Sequence, residues 1–341
     1  MTSYNSDRIP VYIRLFAGAL LLFTGFIIFI GCATTQTVVE KTTKTVARTT
    51  RDISRKIVLS DEDLKRKVGM FNFENSTLQK TQNFQEIFHK GLPEYLNGRC
   101  PGIILLNPAA GGLLNALKEP PKLKSGLIDG YALTILGRQL GLNAVVTGSL
   151  EDIRVIDELQ GVLWTKDTQH LVMIFIRVAI FDTRTATKIL DNTFDRRIEI
   201  DDLEYRMIQE NEQIKLPAVD ETLNRLLTDI GESICDAIRD QPWDGYITEI
   251  DGDRYVIPSG TEVGLEQGDV LEVFDGSRIM EGVGGQHFFV PGLKIGEIEI
   301  VAITQDRLEA KLVSGEDIKK GSTVRRKWLH ETIQNKKSTD L

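Results

Sequence analysis

The stretch that decides the fold is His170–Asp182, which reads HLVMIFIRVAIFD. Its alternation predicts a β-strand, one face of which is entirely β-branched: Val172, Ile174, Ile176, Val178 and Ile180. The other face is apolar as well, with Leu171, Met173, Phe175 and Phe181 interrupted only by Arg177. Because a strand that is apolar on both faces is usually central in a covered sheet, we expect this strand at the centre of one.

The residues after this strand predict a hairpin and a covering helix. Thr183–Thr187 turns the chain, and a half-exposed return strand follows, with alternating Leu190, Phe194, Ile198 and Ile200. Pro217 stands where a helix would begin. That helix carries one long apolar stripe, made of Leu223, Leu226, Leu227, Ile230, Ile234 and Ile238. We expect the stripe to cover the sheet.

The residues before the strand predict alternating strands and helices. Short apolar runs at Lys67–Phe73, Ile103–Leu106 and Ala144–Gly148 predict strands. Two helices lie between them by spacing, the first with Phe84, Ile87, Phe88 and Leu92, the second with Ile128, Tyr131, Ala132, Ile135 and Leu136. Pro93 should end or kink the first helix, and Ser125 should cap the second. Residues 67–240 are therefore predicted to be an α/β domain.

The amino-acid composition changes at Pro242. Glycine becomes frequent and short strands are predicted at Gly245–Ile250, Arg254–Ile257, Asp269–Phe274, Ile295–Ile303 and Leu308–Leu312. Short strands with regular turn signals indicate a small barrel or a sandwich. We predict that residues 243–328 are a small, barrel-like all-β domain and that residues 329–341 are a disordered tail.

The N-terminus has the pattern of an export signal. Arg8 and Arg14 precede an uncharged run that ends at Phe29–Cys32. That ending resembles the lipobox of bacterial lipoproteins, with Phe29 where leucine is usual. The resemblance implies that residues 1–31 are removed by cleavage between Gly31 and Cys32, and that Cys32 carries acyl chains. Residues 32–66 are then predicted to be a tether.

An uncleaved signal anchor is the alternative. A spanning helix needs about 20 apolar residues, and Ile9–Ile30 reaches that length only by including Pro10 and Arg14. Either alternative places the rest of the chain outside the cytoplasm. Because Ala33 stands where the inner-membrane retention signal of many enteric lipoproteins is aspartate, we expect the periplasmic face of the outer membrane, with the inner membrane as the alternative.

Charge and cysteine content limit the partners. There are 49 acidic and 41 basic residues among 341, and the net charge of −8 argues against nucleic acid as the main partner. Apart from Cys32, only Cys100 and Cys235 are present. Export makes a disulfide between them a candidate, and two buried free thiols are the alternative.

Three segments resemble the N-terminal domain of TolB and the periplasmic domain of the curli secretion channel lipoprotein. They are Val68–Asn75 (VGMFNFEN), Leu136–Leu150 (LGRQLGLNAVVTGSL) and Val178–Leu190 (VAIFDTRTATKIL), although a glycine often found near the hairpin turn is missing. The later segments GYITEID (Gly245–Asp251), DRYVIPSG (Asp253–Gly260), GLEQGDVLEV (Gly264–Val273) and GSTV (Gly321–Val324) resemble the C-terminal domain of the flagellar assembly protein T. These resemblances imply assembly modules without catalytic residues.

No pattern typical of catalysis, metal binding or cofactor binding was found. His89, His170, His287 and His330 are scattered and pair with no acid or cysteine at metal-ligand spacing. Gly282–Gly285 (GVGG) does not connect a strand to a helix and is interpreted as a loop. The acidic residues Glu199, Asp201 and Asp202 are interpreted as solvated. The sequence indicates a non-enzymatic protein with no small-molecule substrate.

The predicted function is assembly within the cell envelope. The protein is expected to serve a flagellar basal-body ring or a secretion apparatus, with protein partners or as a homo-oligomeric ring. The alternative is a subunit of a curli-type export channel. Phe288 and Phe289, side by side in the glycine-rich stretch Gly282–Pro291, are the candidate interface, and a role in the barrel core is the competing interpretation.

Overall fold

The structure is a computed structural model that describes residues 64–77, 82–161, 167–211 and 216–327. The predicted signal peptide, the cleavage point between Gly31 and Cys32, the tether up to residue 63 and the tail 329–341 lie outside the described residues. Residues 61–341 form one compact unit by their contacts. The first strand starts at Arg66, one residue before the predicted start at Lys67, and Leu64 is already buried.

The first sheet contains six strands. They are β1 (Arg66–Met70), β2 (Glu74–Asn75), β3 (Ile103–Leu106), β4 (Ala144–Gln160), β5 (Asp167–Asp182) and β6 (Lys188–Ile200). The order is β3-β1-β4-β5-β6, with β2 also beside β4. Strand β1 runs parallel to β3 and β4, and the long β5 is antiparallel to its neighbours β4 and β6. The stretch His170–Asp182 therefore lies in β5, an internal strand between β4 and β6, as predicted.

Strand β4 extends well beyond the predicted end at Gly148. The register shifts between Leu150 and Asp152, after which β4 continues to pair with β5 as far as Gln160. The extension carries apolar residues such as Ile153 on the covered face and charged residues such as Arg154 on the other. Because this extension contains many polar residues, the pattern of apolar runs did not predict it.

Five α-helices are described. They are α1 (Gln82–Glu86), α2 (Leu92–Arg99), α3 (Gly130–Gln139), α4 (Asp202–Asn211) and α5 (Pro217–Arg239). A π-helical turn, Ile87–Gly91, joins α1 to α2 just before Pro93. Proline cannot donate to the carbonyl four residues earlier, so the local widening is the expected irregularity. Pro217 begins α5, also as predicted.

Two helix starts differ from the prediction. Helix α3 is capped by Asp129, whose side chain accepts a hydrogen bond from the Ala132 N–H at 3.0 Å, and not by Ser125. Helix α4 was not predicted. It begins with a capping box in which Asp201 Oδ1 accepts from the Glu204 N–H at 2.8 Å and Glu204 Oε2 accepts from the Asp201 N–H at 3.2 Å.

The two faces of the first sheet are covered unequally. Helices α1, α2 and α5 cover one face in a large apolar cluster that includes Val146, Ile176 and Ile230. Helix α3 covers only part of the other face, where Leu133 packs with Phe181 and their neighbours. The second face is therefore open beyond the N-terminus of α3.

The second sheet contains seven short strands. They are β7 (Gly245–Tyr246), β8 (Glu249–Asp251), β9 (Arg254–Ile257), β10 (Val270–Phe274), β13 (Lys294–Ile303), β14 (Leu308–Gly315) and β15 (Thr323–Arg326). Their order is β7-β15-β10-β13-β14-β9-β8. Between β7 and β8, Ile247 N–H donates to Ser322 O and Thr248 N–H to Val256 O. The two edge strands, β7 and β8, thus adjoin the segment formed by Ile247 and Thr248, and the curved sheet is a half-barrel.

The half-barrel encloses its own apolar core. Leu271, Ile298 and Trp243 are buried there, and Leu64 and Ile104 from the first part of the chain pack against them. A separate hairpin, β11 (Ile279–Glu281) and β12 (His287–Phe289), extends from the half-barrel and was not predicted. The Gly282–Gly285 stretch forms its turn, which agrees with the loop interpretation.

Candidate functional site

A groove of about 1050 Å³ lies on the open face of the first sheet. Its floor is formed by β4 and β5, with Ser149 and Arg177 among the lining residues. One wall comes from the segment before α3, including Leu127, and the other from the tip of the β11–β12 hairpin, including Phe288. The groove is therefore formed jointly by the first sheet, the segment before α3 and the hairpin that extends from the half-barrel.

Phe289 attaches the hairpin to the first part of the chain. Its side chain is 7% exposed. The ring stacks on Tyr131 at 5.2 Å between centroids, and the Arg138 guanidinium lies 3.3 Å from its centroid. The Phe289 N–H also donates to Thr185 O at 3.0 Å. Phe289 is thus an internal contact of the chain, although not a contact in the half-barrel core.

Phe288 occupies the opposite side of the same strand. Adjacent residues of a strand point to opposite faces, so its half-buried ring borders the groove while Phe289 is buried. A β-carbon at Gly282 would lie 2.7 Å from the Phe288 ring, so glycine lets the ring approach the hairpin backbone. Phe288 alone therefore remains the interface candidate.

The charged groups of the groove floor are paired. Arg177 binds Asp191 with two hydrogen bonds, Nε–Oδ1 at 2.8 Å and Nη2–Oδ2 at 3.0 Å. Lys188 Nζ donates to the same carboxylate at 2.7 Å. The hydrogen bond from Arg177 and the contacts of Lys188 lower the pKa of Asp191 to about 2. A ligand would have to compete with these pairs for a charged contact.

The rim of the groove is apolar. Leu127 is 68% exposed and Leu123 is 45% exposed. On the hairpin, Phe288 is half-buried and borders the same groove. Large apolar side chains around a groove are a feature of protein-binding surfaces. With its paired floor, the groove is suited to a neutral apolar segment.

The histidines do not converge on the groove. His89 Nε2 lies 3.1 Å from Phe73 O, and the His287 ring is tilted against Tyr131, with centroids 5.4 Å apart, at the groove's edge. His330 lies outside the described residues. In the described ranges there is no group of three or more His, Cys, Asp or Glu residues placed to hold a metal ion.

His170 has partners that sequence spacing did not reveal. Its Nδ1 lies 2.8 Å from Asp157 Oδ1, and its Nε2 lies 3.4 Å from Asp202 Oδ1. Its ring stacks on Tyr205 at 3.8 Å. These contacts join α4 to the β4–β5 pair. Asp157 faces His170 across the ladder, and only strand register could have predicted that neighbour.

Cys100 follows α2 and Cys235 lies within the last part of α5; their Cα atoms are 5.7 Å apart, and the structure joins their sulfur atoms. That Cα separation is within the usual range for a disulfide. Both residues are buried in the core of the first part. Formation of the bridge in the exported protein stays a prediction. Cys32, the predicted acylation site, lies outside the described residues.

No family model and no curated protein matches this chain. Solved structures with a similar arrangement include the hypothetical protein CT253 of Chlamydia trachomatis, with 15% identity, a TM-score of 0.31, and 50% of this chain and 99% of that chain covered. Lipoprotein GNA1162 of Neisseria meningitidis has 10% identity and a TM-score of 0.29 over 50% of this chain and 99% of its own. TolB of Acinetobacter baumannii has 10% identity and a TM-score of 0.25, with 78% of this chain and 61% of that chain covered.

At these TM-scores the similarities carry no argument about fold or activity. The resemblances to the TolB, curli and flagellar families therefore stay expectations from the sequence. Within the described ranges, no helix is both long enough and apolar enough to cross a bilayer.

Proposed function

We propose that the protein is a non-enzymatic envelope lipoprotein that holds or builds a larger assembly through its groove. Acylated Cys32 would anchor it to the periplasmic face of the outer membrane, with the inner membrane as the alternative. The lipobox resemblance at Phe29–Cys32 supports the anchor. Two or more acyl chains on one cysteine would suffice for stable attachment, since each buried CH₂ contributes about 0.8 kcal/mol.

The apolar rim of the groove is the observation that carries the assembly role. Leu127 is 68% exposed, Leu123 is 45% exposed, and Phe288 borders the same groove. Burying such side chains against a partner removes apolar surface from water, and this favourable term offsets part of the entropy lost on association. The paired floor charges favour an apolar, uncharged segment of the partner.

The partner class remains that predicted from the sequence. A flagellar basal-body ring or a secretion apparatus fits the family resemblances, with envelope proteins or further copies of this chain as neighbours. A curli-type export channel stays the alternative, because Val178–Leu190 resembles the hairpin of the curli secretion channel lipoprotein. Neither nucleic acid nor a small-molecule substrate is proposed.

A pair of exposed leucines tests the groove. Leu127 borders it and Leu159, also 68% exposed, is not among its lining residues. Leu127→Ser should abolish cross-linking to the envelope assembly in cells, whereas Leu159→Ser should leave it unchanged. Both variants should keep the wild-type melting temperature. Equal cross-linking in the two variants would remove the groove from the proposal.

A second experiment tests the anchor independently. Cys32→Ser should prevent labelling by radioactive fatty acid and leave the protein as precursor. Labelling that survives this change would contradict lipidation at Cys32. Sucrose-gradient separation of the wild-type envelope then distinguishes the outer from the inner membrane.

A further inference from the structure

A second cavity, of about 70 Å³, lies where the β5–β6 turn meets the half-barrel. Three arginines border it, Arg138, Arg184 and Arg325, together with a single acidic residue, Asp275. A cavity needs about 10–15 Å³ to hold one water molecule, so this cavity exceeds that minimum several-fold and can admit a small ion. We propose that this cavity binds a phosphate group, an ion with five heavy atoms.

Arg184 offers donors that the protein leaves unused. Its buried Nε–H makes no hydrogen bond to any described residue. The nearest carboxylate oxygens are Asp182 Oδ2 at 3.7 Å and Asp244 Oδ2 at 3.8 Å, which are ion-pair distances and not hydrogen bonds. A buried donor without an acceptor is costly, and an oxyanion in the cavity would supply one.

Arg325 offers a second set of donors. Its Nε–H donates to Asp244 Oδ1 at 2.5 Å, and its guanidinium carbon lies 5.3 Å from the Phe274 ring centroid. Its two terminal amino groups make no hydrogen bond to the described residues. Two guanidiniums with free N–H groups at one cavity form the donor arrangement that suits phosphate oxygens.

Arg138 is a positioning residue at this site. Its guanidinium donates to three carbonyls, Thr183 O at 2.8 Å, Arg184 O at 2.7 Å and Gly276 O at 3.2 Å. The first two belong to the β5–β6 turn and the third to the half-barrel. It therefore fixes both cavity walls before a ligand arrives.

The lining of the cavity carries more arginines than acidic residues. Asp182 and Asp244 do not border it, so they balance the arginines from outside the lining. Asp275 does border it, but its carboxylate already accepts from the Ser277 N–H at 3.0 Å and hydroxyl at 2.7 Å. Three carboxylates thus balance the three guanidiniums, and the N–H groups that make no hydrogen bond, rather than an excess of positive charge, would recognise an anion.

Phosphate binding should tighten the junction between the two parts. Arg184 comes from the β5–β6 turn and Arg325 from β15, so one ion would contact both. Ligand that binds the folded state raises its stability by mass action. The site is separate from the groove, and its outcome does not depend on the assembly role.

The test uses the full chain in detergent, with sodium phosphate as probe and sodium chloride at equal ionic strength as reference. Phosphate should raise the melting temperature saturably, and calorimetric titration should give one site per chain. Arg184→Gln should raise the phosphate Kd at least tenfold. Arg196→Gln, which removes an exposed arginine paired with Asp229, should leave it unchanged.

Two further outcomes are decisive. A melting temperature that follows ionic strength alone, or a phosphate Kd equal in both variants, would overturn the site. If Arg184→Gln does not fold, Arg184→Lys keeps the charge and removes the planar fork, and it should still weaken binding. Co-sedimentation with phosphatidylglycerol vesicles that depends on Arg184 would identify a lipid headgroup as the source, and its absence a soluble phosphate.

Discussion

The two sheets bury their apolar residues in different ways. The first is covered by separate helices, above all by the stripe of α5, and it retains one partly open face. The half-barrel curves until its edges meet at the segment between β7 and β8, so that its apolar side chains face one another. The first sheet can therefore offer a groove, because a flat sheet has a second face that needs a cover.

The comparison is sharpest for two buried isoleucines. Ile230 lies on α5 and Ile298 on β13, and both are fully buried. Truncation of either to alanine should lower the free energy of unfolding by about 3–4 kcal/mol. If residues 67–240 and 243–328 fold as separate units, as the sequence predicts, calorimetry will show that each variant shifts a different transition.

Contacts between the two parts make this a demanding test. Leu64 packs in the half-barrel core, and Lys67 Nζ donates to Pro258 O at 2.8 Å. A single transition that both variants shift equally would mean that the two parts share one cooperative unit. The predicted boundary between residues 240 and 243 would then be wrong.

Reduction should affect the first sheet alone. The Cys100–Cys235 bridge closes a loop with a sequence separation of 135 and ties α2 to α5, whereas the half-barrel contains no cysteine. Its loss should cost about 2–4 kcal/mol. Melting with and without reductant measures the shift, with Cys235→Ser as the unreducible reference. Identical curves for the wild type in both buffers would indicate two free thiols.

The two neighbouring phenylalanines should separate stability from binding. Phe289→Ser should lower the free energy of unfolding by about 2–3 kcal/mol, because it removes a buried ring and its contact with Arg138. Phe288→Ser should cost less than about 1 kcal/mol and should instead reduce cross-linking at the groove. Equal destabilisation in chemical denaturation would place both rings in the core.

The smallest expected effect concerns acid stability. Because the pKa of Asp191 is lowered to about 2, its contribution is complete above the unfolded value of about 4 and is lost as the pH falls toward 2. The pair is partly exposed, so the contribution stays below about 1 kcal/mol. Asp191→Asn should therefore be less stable than wild type at pH 6, and most of this difference should be lost at pH 2.

Asp195→Asn is the matched control for this experiment. Asp195 lies on the same strand, and its carboxylate makes no ion pair with the described residues. The control should show no difference from wild type that changes between pH 6 and pH 2. If Asp195→Asn shows the same pH dependence as Asp191→Asn, the effect arises from net charge and not from the Arg177 pair.

Strongly periodic elements were predictable. The central strand, the hairpin at Thr183–Thr187 and the α5 stripe were all predicted and confirmed, since each is specified by side chains that must leave water together. Polar elements were missed. Helix α4 carries the signal Asp201–x–x–Glu204, a capping box that would have predicted its start. The β4 extension alternates charged and apolar residues and was hidden for that reason.

What the sequence determined by itself was local: which stretches alternate, where proline begins or kinks a helix, and that Phe288 and Phe289 stand together. The tertiary structure decided which of the two rings is buried, because Tyr131 and Arg138 reach the hairpin from a helix that lies far away in the chain. It also brought Arg184 and Arg325 to one cavity. Residues that are distant in sequence come into contact only when the chain folds, so the spacing of residues along the sequence does not predict these contacts.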